Sequence, residues 1–245
     1  MKNILAILLL LVFSNISFAQ VGKETDLWSW SPEGEHHASL VQISYKDSLG
    51  CGVVFRIDKT TPNGSGFNGW VLTAAHVVSD LGASGGLTRA SGGVGIQFQN
   101  KRKAKDCKIV AFDSEHDIAI LWTWVPEDAA VAQIAVEPII RGDRVEFVGL
   151  GGGTEPSDPI RHFYGFSSYP TTEDVIYADT CLLPGDSGGP IFNREKELVG
   201  VISGGWFHFG DQIKLPDCEG GMCAVWPATG CNTGPMNTLM ESLNK

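Results

Sequence analysis

The chain has 245 residues, 28 acidic against 18 basic side chains, and a formal net charge of −10. That acid excess argues against nucleic acid or an anionic membrane as the main partner, and surface acid of this kind suits a soluble, exported protein. Thirty glycines beside few helical periodicities favour an all-β fold with many turns, of a length that suits two small barrels and leaves no room for a further domain of ordinary size.

In chain order, Met1-Lys2-Asn3, the apolar run Ile4 to Phe13 and Ser17-Phe18-Ala19 have the layout of a secretory signal peptide over residues 1–19, its apolar run too short to span a bilayer. Residues 20–37 read as an irregular arm, with Trp28, Trp30 and Pro32 among polar neighbours. Ala38 to Tyr45 is a strand candidate, and the β-prone Gly50 to Ile57 leads through the turn cluster Thr61 to Gly66 into the run Gly69 to His76. Leu81 to Gly93 is expected as a surface loop. Val94 to Phe98 and Cys107 to Phe112 are strands flanking the basic run Lys101 to Lys105, which reads as a solvated hairpin in so acidic a chain. Ile118 to Trp122 alternates as a strand. These elements divide the chain into a first group at 38–125, a connection at 126–138 and a second group at 139–245. The second takes its strands from Arg141 to Gly149, Phe163 to Tyr169, Val175 to Thr180 and Leu198 to Gly205, with a closing helix at Pro235 to Leu243.

Six cysteines, Cys51, Cys107, Cys181, Cys218, Cys223 and Cys231, form an even set, which in an exported chain implies disulfides whose pairing the sequence does not fix. Zinc is disfavoured as their purpose, because no second Cys or His pair at ligand spacing follows Cys218 and Cys223. No metal and no cofactor is expected.

Three separated motifs carry the chemistry. Gly185-Asp186-Ser187-Gly188-Gly189-Pro190 is a glycine-flanked turn that exposes one hydroxyl and lets the amides of Gly185 and Ser187 converge as an oxyanion hole. A serine needs a base held by a third group. Thr73-Ala74-Ala75-His76 offers the base, and His116-Asp117-Ile118-Ala119 offers the orienting acid. Asp113 and Glu115 read as turn and surface residues.

From about Leu40 to Gly205 the chain resembles the chymotrypsin/trypsin clan of serine proteases in motif content and in the order His76, Asp117, Ser187. The resemblance implies two six-stranded antiparallel β-barrels with a short C-terminal helix. It also implies a secreted or periplasmic serine endopeptidase working through an acyl-enzyme, a monomer acting on protein or peptide substrate, with no nucleic acid and no membrane after signal cleavage. A Gly-x-Ser-x-Gly elbow of an α/β-hydrolase fits less well, since only His208 follows Ser187.

The chain departs from the clan in two places. No activation site with an apolar amine precedes the first barrel, so Asp186 is expected to find another partner. No cysteine stands immediately after His76, where Val77 and Val78 follow, so Cys51 pairs elsewhere, with Cys107 as a candidate, or stays free. The resemblance places extended substrate along Ser203, Gly204 and Gly205. The specificity pocket has two alignments. The gapless one, on Leu183-Pro184-Gly185, resembles bacterial periplasmic heat-shock proteases that accept small apolar residues. The other, anchored on Cys181, puts Asp179 where trypsin keeps its basic-selective acid. A rival reading, prompted by the missing activation start, is a catalytically silent binding module on the same barrels.

Overall fold

The computed structural model describes residues 35–81, 86–99, 101–151, 160–168, 171–180, 182–205 and 228–243. The expected signal peptide and most of the arm, and Cys181, Trp206, His208, Cys218 and Cys223, lie outside them.

The strands are β1 (Leu40–Tyr45), β2 (Ser48–Asn63), β3 (Gly66–Thr73), β4 (Ser79–Leu81), β5 (Leu87–Arg89), β6 (Gly95–Gln97), β7 (Lys103–Ala104), β8 (Lys108–Asp113), β9 (Ile118–Pro126), β10 (Arg144–Gly149), β11 (Arg161–Phe166), β12 (Val175–Ala178), β13 (Pro190–Phe192), β14 (Leu198–Gly205) and β15 (Ala228–Cys231). One helix, α1 (Thr233–Ser242), follows. Two antiparallel sheets curl into half-barrels: a seven-stranded sheet in the order β7-β6-β1-β2-β3-β9-β8 and a six-stranded sheet in the order β11-β10-β13-β14-β15-β12. The extra strand of the first sheet is the two-residue β7, in the basic run read as a hairpin.

The local chemistry explains these elements. Gly64 takes φ +63° at the β2–β3 turn, a backbone conformation costly for residues with a Cβ. Gly50 to Phe55 is buried throughout, without the polar alternation of a one-sided strand. The reason is that Val54 packs inside the first half-barrel, while Cys51, Val53 and Phe55 face a separate core shared by the two sheets. That shared core joins Leu40, Leu72 and Ile120 to Val148, Phe192 and Val201, each removed from water at roughly 1.5–3 kcal/mol for a fully buried side chain. A third core, around Phe147, Ile176 and Ile191, fills the second half-barrel.

The Asn232 side chain accepts the Thr233 N–H and so starts α1, which packs on β8, β9 and β14 and spans both sheets. Four segments differ from expectation. β9 continues through Trp124 and Val125 to Pro126, held by β3. The β4–β5 hairpin, pairing Ser79 to Leu81 with Leu87 to Arg89, runs into Leu81 to Gly93, which is expected as loop. The short strands β13 and β15 were not anticipated, being only three and four residues long.

Candidate active site

His76 stands on a 3₁₀ turn (Ala75–Val78) at the end of β3, and the chain can turn there because Ala74 and Ala75 are small enough to be fully buried beneath it. Asp117 lies in the turn between β8 and β9 with φ +53°, a left-handed conformation that Asp tolerates better than most residues. The turn is organised by Asp113, whose Oδ1 accepts the N–H groups of Glu115 (2.9 Å) and His116 (3.2 Å), so Asp113 has the turn role expected of it.

Asp117 holds His76 at two points. Its Oδ1 accepts the His76 main-chain N–H at 2.9 Å, and its Oδ2 lies 2.8 Å from His76 Nδ1. A carboxylate can only accept, so the proton sits on Nδ1 and the neutral ring offers Nε2 as a base. The Ser203 hydroxyl donates to the same Oδ2. Ser203 falls at a bulge, where the β14–β15 register shifts between Ile202 and Gly204, and such bulges re-aim a side chain. Sequence reasoning placed Ser203 along the substrate path and missed this bond, because nothing in a Ser-Gly-Gly triplet reports a bulge.

Ser187 lies where the two sheets meet. Its carbonyl accepts the Cys51 N–H at 2.7 Å, and the loop is tied to β14 by Gly188 N–H to Ile202 O (2.6 Å) and Ile202 N–H to Gly189 O (2.8 Å). Gly188 has φ +82°, and a Cβ there would stand 2.1 Å from Cys51 O and 2.3 Å from Thr73 Oγ1, so the loop can approach the first sheet only through glycine. Gly185 has φ +97°. His76, Asp117 and Ser187 line one cavity of about 610 Å³, together with Leu182, Leu183, Ile202, Ser203, Gly204 and Thr229.

Asp186 is fully buried. Its Oδ1 accepts Gly151 N–H at 2.7 Å and its Oδ2 accepts Leu183 N–H at 2.8 Å, so the expected alternative partner is a pair of loop amides. Burial pushes its carboxyl above the ordinary range, against the opposing pull of the Leu183 N–H, the Arg161 charge and the Gly151 N–H.

Of the expected substrate-binding residues, Leu183, Ser203 and Gly204 line the cavity, Gly205 ends β14 opposite Ala228, and Cys181 lies outside the described residues. Asp179 is exposed just after β12 and is not among the described residues lining the cavity. The disulfide expectation also needs correction for the described cysteines: Cys51, Cys107 and Cys231 are free, buried thiols. Cys51 and Cys107 cannot pair because they belong to different cores. The Cys51 thiol lies 3.1 Å from Gly185 O, and Cys107 Sγ lies 3.1 Å from Thr123 Oγ1.

The fold agrees with the comparisons. Residues 50–201 match the family model described as trypsin-like peptidase domain. The chain is 28% identical over 159 residues to the periplasmic serine endoprotease DegP of Escherichia coli (strain K12), covering 63% of this chain and 29% of that protein. It is 26% identical over 193 residues to the serine protease HtrA-like protein of Staphylococcus aureus (strain USA300), covering 71% and 21%. This chain thus spans less than a third of the length of these curated relatives. The crystal structure of the serine endoprotease from Yersinia pestis superposes with a TM-score of 0.55 at 20% identity, over 87% of this chain and 68% of that one, a likeness of fold. With the family model covering more than half of its residues, the chain belongs to the trypsin-like peptidase domain family.

Proposed function

We propose that this protein is an exported serine endopeptidase that hydrolyses peptide bonds with Ser187 as nucleophile, His76 as general base and Asp117 as the orienting acid. The observation that carries the reading is the doubly bonded Asp117–His76 pair at the wall of the cavity that also holds Ser187. His76 Nε2 takes the Ser187 proton as the hydroxyl attacks the scissile carbonyl, then returns it to the departing amine. The amides of Gly185 and Ser187 receive the oxyanion, a donor of this kind being worth roughly 2.7–4 kcal/mol. Water then hydrolyses the acyl-enzyme through the same base.

Leu182, Leu183 and Ile202 in the cavity wall, with Asp179 exposed elsewhere, support a preference for apolar residues before the scissile bond. The similarity to DegP, a periplasmic serine endoprotease, supports export and a protein substrate. The amides that bond Asp186 weaken the silent-module reading, because they meet the acid that the missing activation start would otherwise leave unpaired.

A fluorophosphonate probe should label wild-type protein at Ser187 and leave Ser187→Ala unlabelled, and the variant should lose casein cleavage while keeping its thermal midpoint. Equal cleavage by the variant would defeat the proposal. Peptide-library profiling should give cuts after Val, Ala or Leu, and cuts after Lys or Arg would refute the pocket assignment.

A further inference from the structure

We propose that His36, His37 and Glu146 form a binding site for a divalent transition-metal ion, zinc foremost, that clamps the segment before β1 to the second sheet. The site shares no residue with the cavity around His76 and Ser187.

His36 and His37 lie in a 3₁₀ turn (Glu35–Ser39) fixed from two sides: the Ser39 hydroxyl donates to His36 O at 2.6 Å, and the Gln99 side-chain amide donates to His37 O at 2.6 Å. Glu146 comes from β10, 109 residues later than His37, and its side chain is fully buried. His36 Nε2 lies 3.0 Å from Glu146 Oε2, and His37 Nε2 lies 2.8 Å from Oε1. The three potential ligand atoms fall within 4.8 Å of one another, and the two imidazole side chains are only 7% and 3% exposed. An edge-on contact with Phe192, centroids 4.8 Å apart, fixes the His36 ring.

Chemistry favours a cation at this point. A carboxylate taken fully out of water costs several kcal/mol unless opposite charge or strong donors meet it. The two imidazoles facing it have centroids 4.1 Å apart, so protonating both would set two buried like charges side by side. A divalent ion accepts lone pairs from both neutral rings and from the carboxylate at once. Two imidazole nitrogens and one carboxylate oxygen, each about 2.0–2.2 Å from the metal, are a usual zinc donor set. An outer partner is also in place. His162 Nδ1 lies 3.2 Å from Glu146 Oε1 and 2.9 Å from the Tyr164 hydroxyl, so His162 orients the carboxylate as outer-sphere groups do for bound metal.

The test uses the full chain, stripped with a chelator and dialysed against zinc or cobalt(II). Wild-type protein should take up one zinc per chain with a raised thermal midpoint, and its cobalt form should show the visible d–d bands of a low-coordinate nitrogen and oxygen site. Glu146→Gln, which keeps the size of the side chain, should lose stoichiometric uptake. His162→Gln should keep the stoichiometry and weaken binding by about tenfold to a hundredfold. No uptake by wild type, unchanged uptake by Glu146→Gln, or a thiolate-to-cobalt charge-transfer band placing the metal on cysteine would each overturn the proposal. If Glu146→Gln does not fold, the wild-type cobalt spectrum and the His162→Gln affinity still decide it.

Discussion

The carboxylate of Asp186 accepts the amide of Gly151, and through that bond the loop carrying Ser187 is fastened to the end of β10. The other carboxylate oxygen accepts the Leu183 N–H within the nucleophile loop itself. A Cβ on Gly151 would stand 2.8 Å from Asp186 Oδ1, 2.9 Å from Leu183 Cβ and 2.4 Å from the Arg161 guanidinium, so a side chain there would crowd this bond.

Asp186→Ala removes the acceptor of both amides at once. Each buried donor that loses its acceptor costs about 1–3 kcal/mol, so the variant should lose about 2 kcal/mol or more in urea unfolding. The proposed oxyanion donors flank Asp186, so kcat should fall further than the fraction folded explains. A variant with wild-type kcat would show that this clasp is not needed for the loop's working conformation.

Asp117 fixes the His76 tautomer, and the Asn amide in Asp117→Asn can present a donor where the carboxylate only accepts. The expected loss in kcat is about 10⁴-fold, as when the equivalent control is removed in the well-characterised triad. Ser203→Ala removes only a supporting bond to Oδ2, and a fall in kcat/KM of about tenfold is expected, the equivalent of about 1.4 kcal/mol. Steady-state kinetics on one peptide substrate check both, and equal losses would contradict the assigned hierarchy.

What could be read from the sequence was local. The surroundings of His76, Asp117 and Ser187 are each written in a few adjacent residues: small side chains under His76, an acid before an alternating strand, glycines where φ is positive. The meeting of His36, His37 and Glu146 was not legible, because it joins positions more than a hundred residues apart through a packing no short pattern encodes. The cysteine count misled for a related reason: an even number says nothing of direction, and Cys51 and Cys107 point into different cores. Ser203 shows a third limit, since its reach to Asp117 depends on a bulge set by the pairing of two strands.

The buried thiols make a chemical prediction. Burial pushes Cys51, Cys107 and Cys231 all above the ordinary thiol range, and the thiolate is the reactive form. Iodoacetamide applied to native protein, followed by peptide mapping, should leave these three unmodified, and denaturant should expose them. Reductant should leave the thermal midpoint unchanged in so far as it depends on them. Rapid native labelling of Cys231, which borders the cavity around His76 and Ser187, would contradict its burial.

The Asp113–His116 pair, 2.7 Å apart beside the same cavity, gives stability a defined pH window. The hydrogen bond to Asp113 raises the His116 imidazole above its ordinary value despite some burial, with the charges of Asp113, Glu115 and Asp174 adding to it. Burial pushes the Asp113 carboxyl up, but the His116 ring and the His116 and Glu115 N–H groups outweigh it and hold the carboxyl below its ordinary value. A raised imidazole contributes fully below about pH 6.5 and loses its contribution as pH rises through its folded value, whereas a lowered carboxyl contributes above about pH 4 and loses it as pH falls. The pair therefore contributes most between about pH 4 and 6.5. The urea midpoint of wild type should exceed that of His116→Gln near pH 5.5, with the gap narrowing at about pH 8.5 and again at about pH 3. A gap that stays constant across all three would remove the pair from any account of how stability varies with pH.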